Sequence, residues 1–184
     1  EAEAVLAQLD PSGRWPDIDY ADRARTHWSP AQHTTRLALL ARAYRQPGQP
    51  LACHDALALR AAFAFWVAHD PQSDNWWFNN IHTPKYLAQT LLLMGDTVPQ
   101  STWDRAAKVV RRSGFTRTGA NLTWEAGNLL LLACATRDRE LLERAAAALA
   151  GEVRITTEEG IQPDFSFHQH GPQLYMGNYG ELFS

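Results

Sequence analysis

The 184-residue chain is 45% apolar and 20% charged, an ordinary globular composition that excludes a disordered or fibrous protein. Its formal net charge of −3 argues against a general nucleic-acid binder. The longest apolar runs, such as Leu129 to Ala135, fall far short of a membrane span, so no membrane partner is expected. Cys53 and Cys134 lie in separate apolar segments without metal-ligand spacing and read as buried free thiols rather than a bridge. Seven tryptophans are the unusual feature: by count they fill a core, whereas exposed ones would stack on sugar rings.

The opening Glu1-Ala2-Glu3-Ala4 looks like the remnant of a yeast secretion leader, so residues 1–4 are set aside and 5–184 are read as the domain. Val5 to Leu9 is weakly helical and stops at the turn Asp10-Pro11-Ser12-Gly13. Trp15-Pro16-Asp17-Ile18-Asp19-Tyr20 is extended, because Pro16 biases Trp15 away from helix. Ser29 as N-cap and Pro30 at the first helical position open a helix over 30–46. Its return runs over 52–69, with Leu57, Ala61, Phe65 and Ala68 at helical spacing. A loop carrying Asn75-Trp76-Trp77 leads to a helix over 80–95 opened by Thr83-Pro84, and Ser101 caps its partner over 101–113. The pattern recurs in 121–136 and 139–150.

No segment alternates apolar and polar residues in the manner of a strand, so the fold class is all-α, built from antiparallel hairpins. Their period of about 40 to 45 residues points to a helical array or (α/α) toroid rather than a four-helix bundle. One member of each pair is nearly all apolar, as in Tyr86 to Met94, while its partner carries charge, as expected of inner and outer rings. The loops holding Asn75 to Trp77, Thr118 to Asn121 and His168 to Tyr179 each precede an inner-type helix and fall at one end of such an array. Positive helix ends gather there, implying an anionic substrate.

The stretch from Gly160 to Gly180 carries the proton-transfer groups. His168, His170, Tyr175 and Tyr179 stand among glycines and prolines on backbone expected to be neither regular helix nor strand. His168 and His170 with Asp164 form a weak metal pattern lacking a third ligand at diagnostic spacing, so no metal or cofactor is assigned. A glycoside hydrolase would need two carboxylates across a cleft, for which Asp164, Glu125 and Asp19 are candidates whose spacing specifies no pair. A non-catalytic helical carbohydrate-binding scaffold is the third class.

Taken in order, Asn75-Trp76-Trp77, Pro84 and Thr90 to Met94, Thr118-Gly119-Ala120-Asn121, Ser166 to His170 and Tyr175 to Gly180 resemble polysaccharide lyase family 8, which includes hyaluronate, chondroitin AC and xanthan lyases. The Trp15 to Tyr20 segment is similar to the opening of the helical domain in that family, so the resemblance covers nearly the whole chain. It implies an incomplete toroid, of which this chain holds about half, and β-elimination on a uronic-acid polysaccharide in a secreted or periplasmic setting. The remainder of the catalytic domain is then an expected partner, as a second chain or a C-terminal part, along with the acidic polysaccharide.

By position, the resemblance makes Asn121 the carboxylate-binding asparagine, His170 the catalytic histidine and Tyr179 the catalytic tyrosine. Trp76, Trp77 and Phe115 match an aromatic patch that lays the polymer in its cleft, with Asn75, Arg117 and His82 also substrate-binding. His82 stands where the family has glycine, and Asn79 and Asn80 where acidic residues are common. Tyr179 serves both steps of a syn elimination, or His170 is the base of an anti one. A tyrosine of pKa about 10 needs a nearby cation or concerted transfer to act near neutral pH. In the family an arginine and a glutamate beyond the tyrosine complete the site, and neither is assigned in the five residues that follow Tyr179.

Overall fold

The computed structural model describes residues 1–46 and 53–170; Tyr175 and Tyr179 lie outside the described residues. The chain is all-α as expected, in the order α1 (Ala2–Leu6), α2 (Ala31–Arg45), α3 (Cys53–His69), α4 (Thr83–Met94), α5 (Gln100–Val110), α6 (Gly119–Thr136) and α7 (Arg139–Glu152). The departure lies in the stretch expected to be irregular, where two-residue strands β1 (Gly160–Ile161) and β2 (Phe167–His168) form an antiparallel pair. Ile161 faces Phe167 and Gly160 faces His168. The chain divides into two compact units, residues 1–112 and 113–184.

In the first unit, α2 packs chiefly on α4 rather than on its sequence neighbour α3, and α3 also packs on α5. Helices alternate between two layers, the arrangement expected of inner and outer rings. Leu37 and Leu40 of α2, Leu59, Phe63 and Trp66 of α3, and Leu87, Leu91 and Met94 of α4 are fully buried between them. Each such side chain contributes about 1.5–3 kcal/mol of transfer free energy, so the core rather than helix propensity holds the layers together.

The extended segment at 14–20 is pinned to this core. Trp15 is fully buried and its Nε1–H donates to the Val5 carbonyl of α1 at 2.9 Å. Helix α1 therefore begins inside the stretch that the sequence reading set aside. Asp17 binds the Arg36 guanidinium in two bonds of 2.8 and 2.5 Å. Gly13, at φ +86°, sits so close to α3 that a Cβ would overlap the Ala61 carbonyl.

Both expected serine caps are corrected. Pro30 occupies the N-cap of α2, and the Ser29 hydroxyl accepts instead from the Asp19 N–H at 3.1 Å. Pro99 is the N-cap of α5, leaving Ser101 inside the helix.

In the second unit, α6 and α7 form a tight hairpin. Arg137 takes the left-handed conformation that ends α6, and Asp138 caps α7 by accepting the Leu141 N–H at 3.0 Å. Helix α7, expected to stop at residue 150, runs on through Gly151 to Glu152. Cys134 is a free thiol, but it is exposed rather than buried. The Cys53 side chain lies outside the described residues. No described helix is long and apolar enough to cross a membrane.

Candidate functional site

In the first unit the Asn75-Trp76-Trp77 loop is built on a layered aromatic base. Trp28, Trp66 and His33 are buried beneath it, and the Trp28 ring lies 6.1 Å from Trp66 and 5.5 Å from Phe78. The backbone is fixed by amides. Asn75 Oδ1 accepts the Trp77 N–H at 3.1 Å, and Asn75 Nδ2 donates to the Arg25 carbonyl at 2.9 Å. Asn79 and Ser73 exchange two bonds, and the Ser73 hydroxyl donates to the Ala24 carbonyl at 2.7 Å. Both ends of the Asn75 amide are thus engaged in holding the loop, which places this residue behind the tryptophans.

Trp76 is 37% exposed, whereas Trp77 is half-buried and meets Phe78 edge-on at 5.4 Å. A π-helical turn, Phe78–His82, follows directly and feeds α4. Such turns carry an extra residue and recur at functional positions. His82 at its end packs against Tyr86 at 4.8 Å and Trp77 at 5.7 Å. Burial, with a smaller push from Lys85, lowers its pKa to about 4, so the ring is neutral near pH 7 and supplies no charge for an anion. Its Nδ1 is buried and without a partner among the described residues.

In the second unit, the residues at 115–121 and the end of β2 are brought together. Asn121 lies in the first turn of α6, 9% exposed, and its carboxamide makes no hydrogen bond to the described residues. The Arg144 guanidinium of α7 lies over the half-buried Phe115 ring at 4.9 Å. Arg117 is not merely solvated, since its Nε stands 3.7 Å from the carboxylate of Glu125, which is buried in α6. Glu125 also accepts the Gly114 N–H at 3.3 Å, and burial holds its carboxyl above the usual range. One inward-facing acid therefore fixes the loop on which Phe115 and Arg117 ride.

The start of α6 is held by side chains from later in the chain. The Gly119 N–H donates to Glu152 Oε2 at 2.6 Å, and the Ala120 N–H donates to Gln169 Oε1 at 2.8 Å. Gln169 Nε2 donates to Glu159 Oε2 at 2.7 Å, where the Thr118 hydroxyl also donates, at 2.5 Å. Asn121 and His170 each follow directly on one end of the Ala120–Gln169 bond. His170 is exposed, with φ +57°, and His168 is half-buried. Asp164 accepts from the Ser166 N–H and hydroxyl, which hold its carboxyl below the usual range.

Gln169, Glu152 and Glu159 were not singled out from the sequence. Gln169 had no local signal, because its burial shows only in the fold and its partner Ala120 lies 49 residues away. Glu152 had none, because its partner Gly119 lies 33 residues away.

The model of polysaccharide lyase family 8, N terminal alpha-helical domain, matches residues 1–183. The chain belongs to that family. A chondroitinase-AC from Pedobacter heparinus is 36% identical over 99% of the chain and 27% of its own length. A hyaluronate lyase from Thermasporomyces composti is 28% identical over 98% of the chain and 25% of its own length. A solved structure of a chondroitinase AC lyase, from work on its oligosaccharide complexes, covers 99% of the chain at 34% identity with a TM-score of 0.91, and the chain covers 28% of it. The family-8 chain thus spans about a quarter of the length of the relatives it matches, within their helical part.

Proposed function

We propose that the protein bearing this chain is a polysaccharide lyase that cleaves a uronic-acid polymer by β-elimination, with a glycosaminoglycan such as chondroitin or hyaluronan favoured over xanthan or glucuronan. The observation that supports the reading is the bond from the Ala120 N–H to Gln169: Asn121, whose amide makes no hydrogen bond to the described residues, follows one end of it and His170 follows the other. The names of the chondroitinase and hyaluronate lyase relatives favour the glycosaminoglycan class.

In this reading Asn121 hydrogen-bonds the uronate carboxylate, so that negative charge developing on it as C5 loses its proton is stabilised. A base, Tyr179 or His170, removes that proton. The electron pair forms the C4–C5 double bond as the C4–O4 bond breaks, and O4 leaves with a proton from Tyr179. Trp76, Trp77 and Phe115 pack on pyranose C–H faces, His82 and Asn75 support the tryptophans, and Arg117 adds positive charge beside Phe115. Neither a metal nor a cofactor enters this scheme. The remainder of the catalytic domain completes the site, and a polymeric substrate places the enzyme outside the cytoplasm, secreted or periplasmic.

The test is to incubate the full-length protein with chondroitin, hyaluronan, xanthan, glucuronan and alginate, following near-ultraviolet absorbance and new reducing ends. A lyase gives both signals, because its product is an unsaturated uronate. Reducing ends without absorbance would mean a hydrolase, and neither signal a scaffold. Tyr179→Phe should abolish the absorbance change; full activity in that variant would remove Tyr179 from the mechanism.

A further inference from the structure

We propose that Gln169 is a positioning residue for this elimination, its carboxamide setting the register between the α6 turn that carries Asn121 and the strand end that carries His170. The inference rests on the lyase reading above. Gln169 is a long polar side chain only 1% exposed, and both ends of its amide are engaged. Buried amides are costly unless satisfied, so a residue that merely filled space here would be apolar.

The partners make the contact directional. Oε1 faces a donor, the Ala120 N–H at 2.8 Å, while Nε2 faces an acceptor, Glu159 Oε2 at 2.7 Å. Flipping the amide would set donor against donor and acceptor against acceptor, leaving both contacts broken. Only one register of β2 against α6 satisfies both. Neighbouring residues reinforce it: Thr118 donates to the same Glu159 oxygen, and Gly119 donates to Glu152. Gly119, at φ +58°, lies so close that a Cβ would overlap Gln169 Oε1. Consecutive residues 118, 119 and 120 are therefore each tied to a side chain from the 152–169 region.

The consequence lies one residue further on at each end. Asn121 follows Ala120, and His170 follows Gln169 in a left-handed conformation that costs a non-glycine residue of order 1 kcal/mol. The anchored residue before it keeps that backbone in place. Gln169 touches neither substrate nor reacting atoms; it acts through the two residues that do.

The arrangement permits an exchange of roles. In Gln169→Glu, a carboxylate meets the Glu159 carboxylate and the network breaks. Adding Glu159→Gln restores complementarity, because position 169 again accepts from Ala120 while position 159 accepts from Thr118 and donates to position 169. In the full-length protein, with chondroitin or hyaluronan as substrate, Gln169→Met and Gln169→Glu should lower kcat on the order of 10²-fold, the effect of misplacing a catalytic group by about 1 Å. KM should stay nearly unchanged, and the double variant should recover to near the wild-type rate. Assays run well below each variant's melting temperature separate this from unfolding. A wild-type kcat in Gln169→Met, or no recovery in the double variant, would overturn the inference while leaving the lyase reading intact. A wild-type protein that forms no unsaturated uronate would overturn both.

Discussion

Acid should loosen the first unit through His33, and the size of the effect follows from its surroundings. His33 is fully buried in α2, with Nε2 2.9 Å from the Ala62 carbonyl and Nδ1 2.8 Å from the Tyr20 hydroxyl. A carbonyl can only accept, so Nε2 carries the proton and Nδ1 is the bare acceptor of the Tyr20 O–H. The Tyr20 oxygen in turn accepts the Trp15 N–H at 3.1 Å. Protonating Nδ1 would leave the Tyr20 hydrogen without an acceptor. Burial is the main cause, with Arg36 adding repulsion, that pushes this pKa down from 6.5 to about 3. A base with a lowered folded pKa gives stability that is complete above the unfolded value of 6.5 and is lost as pH falls towards 3. At pH 5 the loss from His33 is about 2 kcal/mol, and at pH 4 about 3 kcal/mol. The assay is hydrogen exchange of α2 and α3 amides in the full-length protein between pH 7 and 5, corrected for intrinsic exchange rates. His33→Gln keeps a donor for Ala62 and an acceptor for Tyr20 but cannot titrate. Its protection should fall about 2 kcal/mol less over that interval; parallel profiles for the two proteins would refute the reasoning.

Removing the Trp76 ring by Trp76→Ala should raise KM for the polymer with little change in kcat, which Michaelis kinetics check. Gly119→Ala imposes a left-handed alanine and a clash with Gln169 together, so it should cost at least about 1–2 kcal/mol and lower kcat, read by denaturant unfolding and initial rates. Glu152→Gln keeps an acceptor for the Gly119 N–H but removes a charge that burial disfavours. Because burial raises the Glu152 pKa above 4.5, its ionised form weakens the fold as pH rises through that window. The variant should therefore gain on wild type at pH 7 and lose that advantage near pH 4, a crossover visible in paired melting curves.

The helices and their pairing into layers were legible because apolar residues recur at helical spacing over long stretches, as in α4 and α6. Their ends were less so. Ser29 and Ser101 look like caps locally, but Pro30 and Pro99 take those places, and a tertiary bond to Asp19 claims the Ser29 hydroxyl. The hairpin at 160–168 was missed because two-residue strands are too short to show periodicity. Cys134 was read as buried from the apolar run around it, yet a helix turns some of any run outward, and residue 134 falls on the open side. Local motifs singled out Trp76, Trp77, Asn121 and His170, while the side chains that hold residues 119 and 120 come from tens of residues away and are invisible to any local pattern.

Helix dipoles favour an anionic substrate, but α6 does not leave its positive end open. Its opening N–H groups would suit a carboxylate, but Gly119 already donates to Glu152 and Ala120 to Gln169, so the protein's own side chains occupy them. Burial disfavours the ionised forms of Glu152 and Glu125, and Arg117 faces Glu125, which keeps these acids from setting up strong repulsion. In the proposed mechanism the work of holding a uronate falls to the Asn121 amide, which makes no hydrogen bond to the described residues and is a neutral donor whose strength depends on aim rather than charge. A group that acts by aim needs a rigid mount, and the network at residues 118–120 is one. Substrate binding at Asn121 should accordingly depend more on the geometry of Gln169 and Gly119 than on ionic strength.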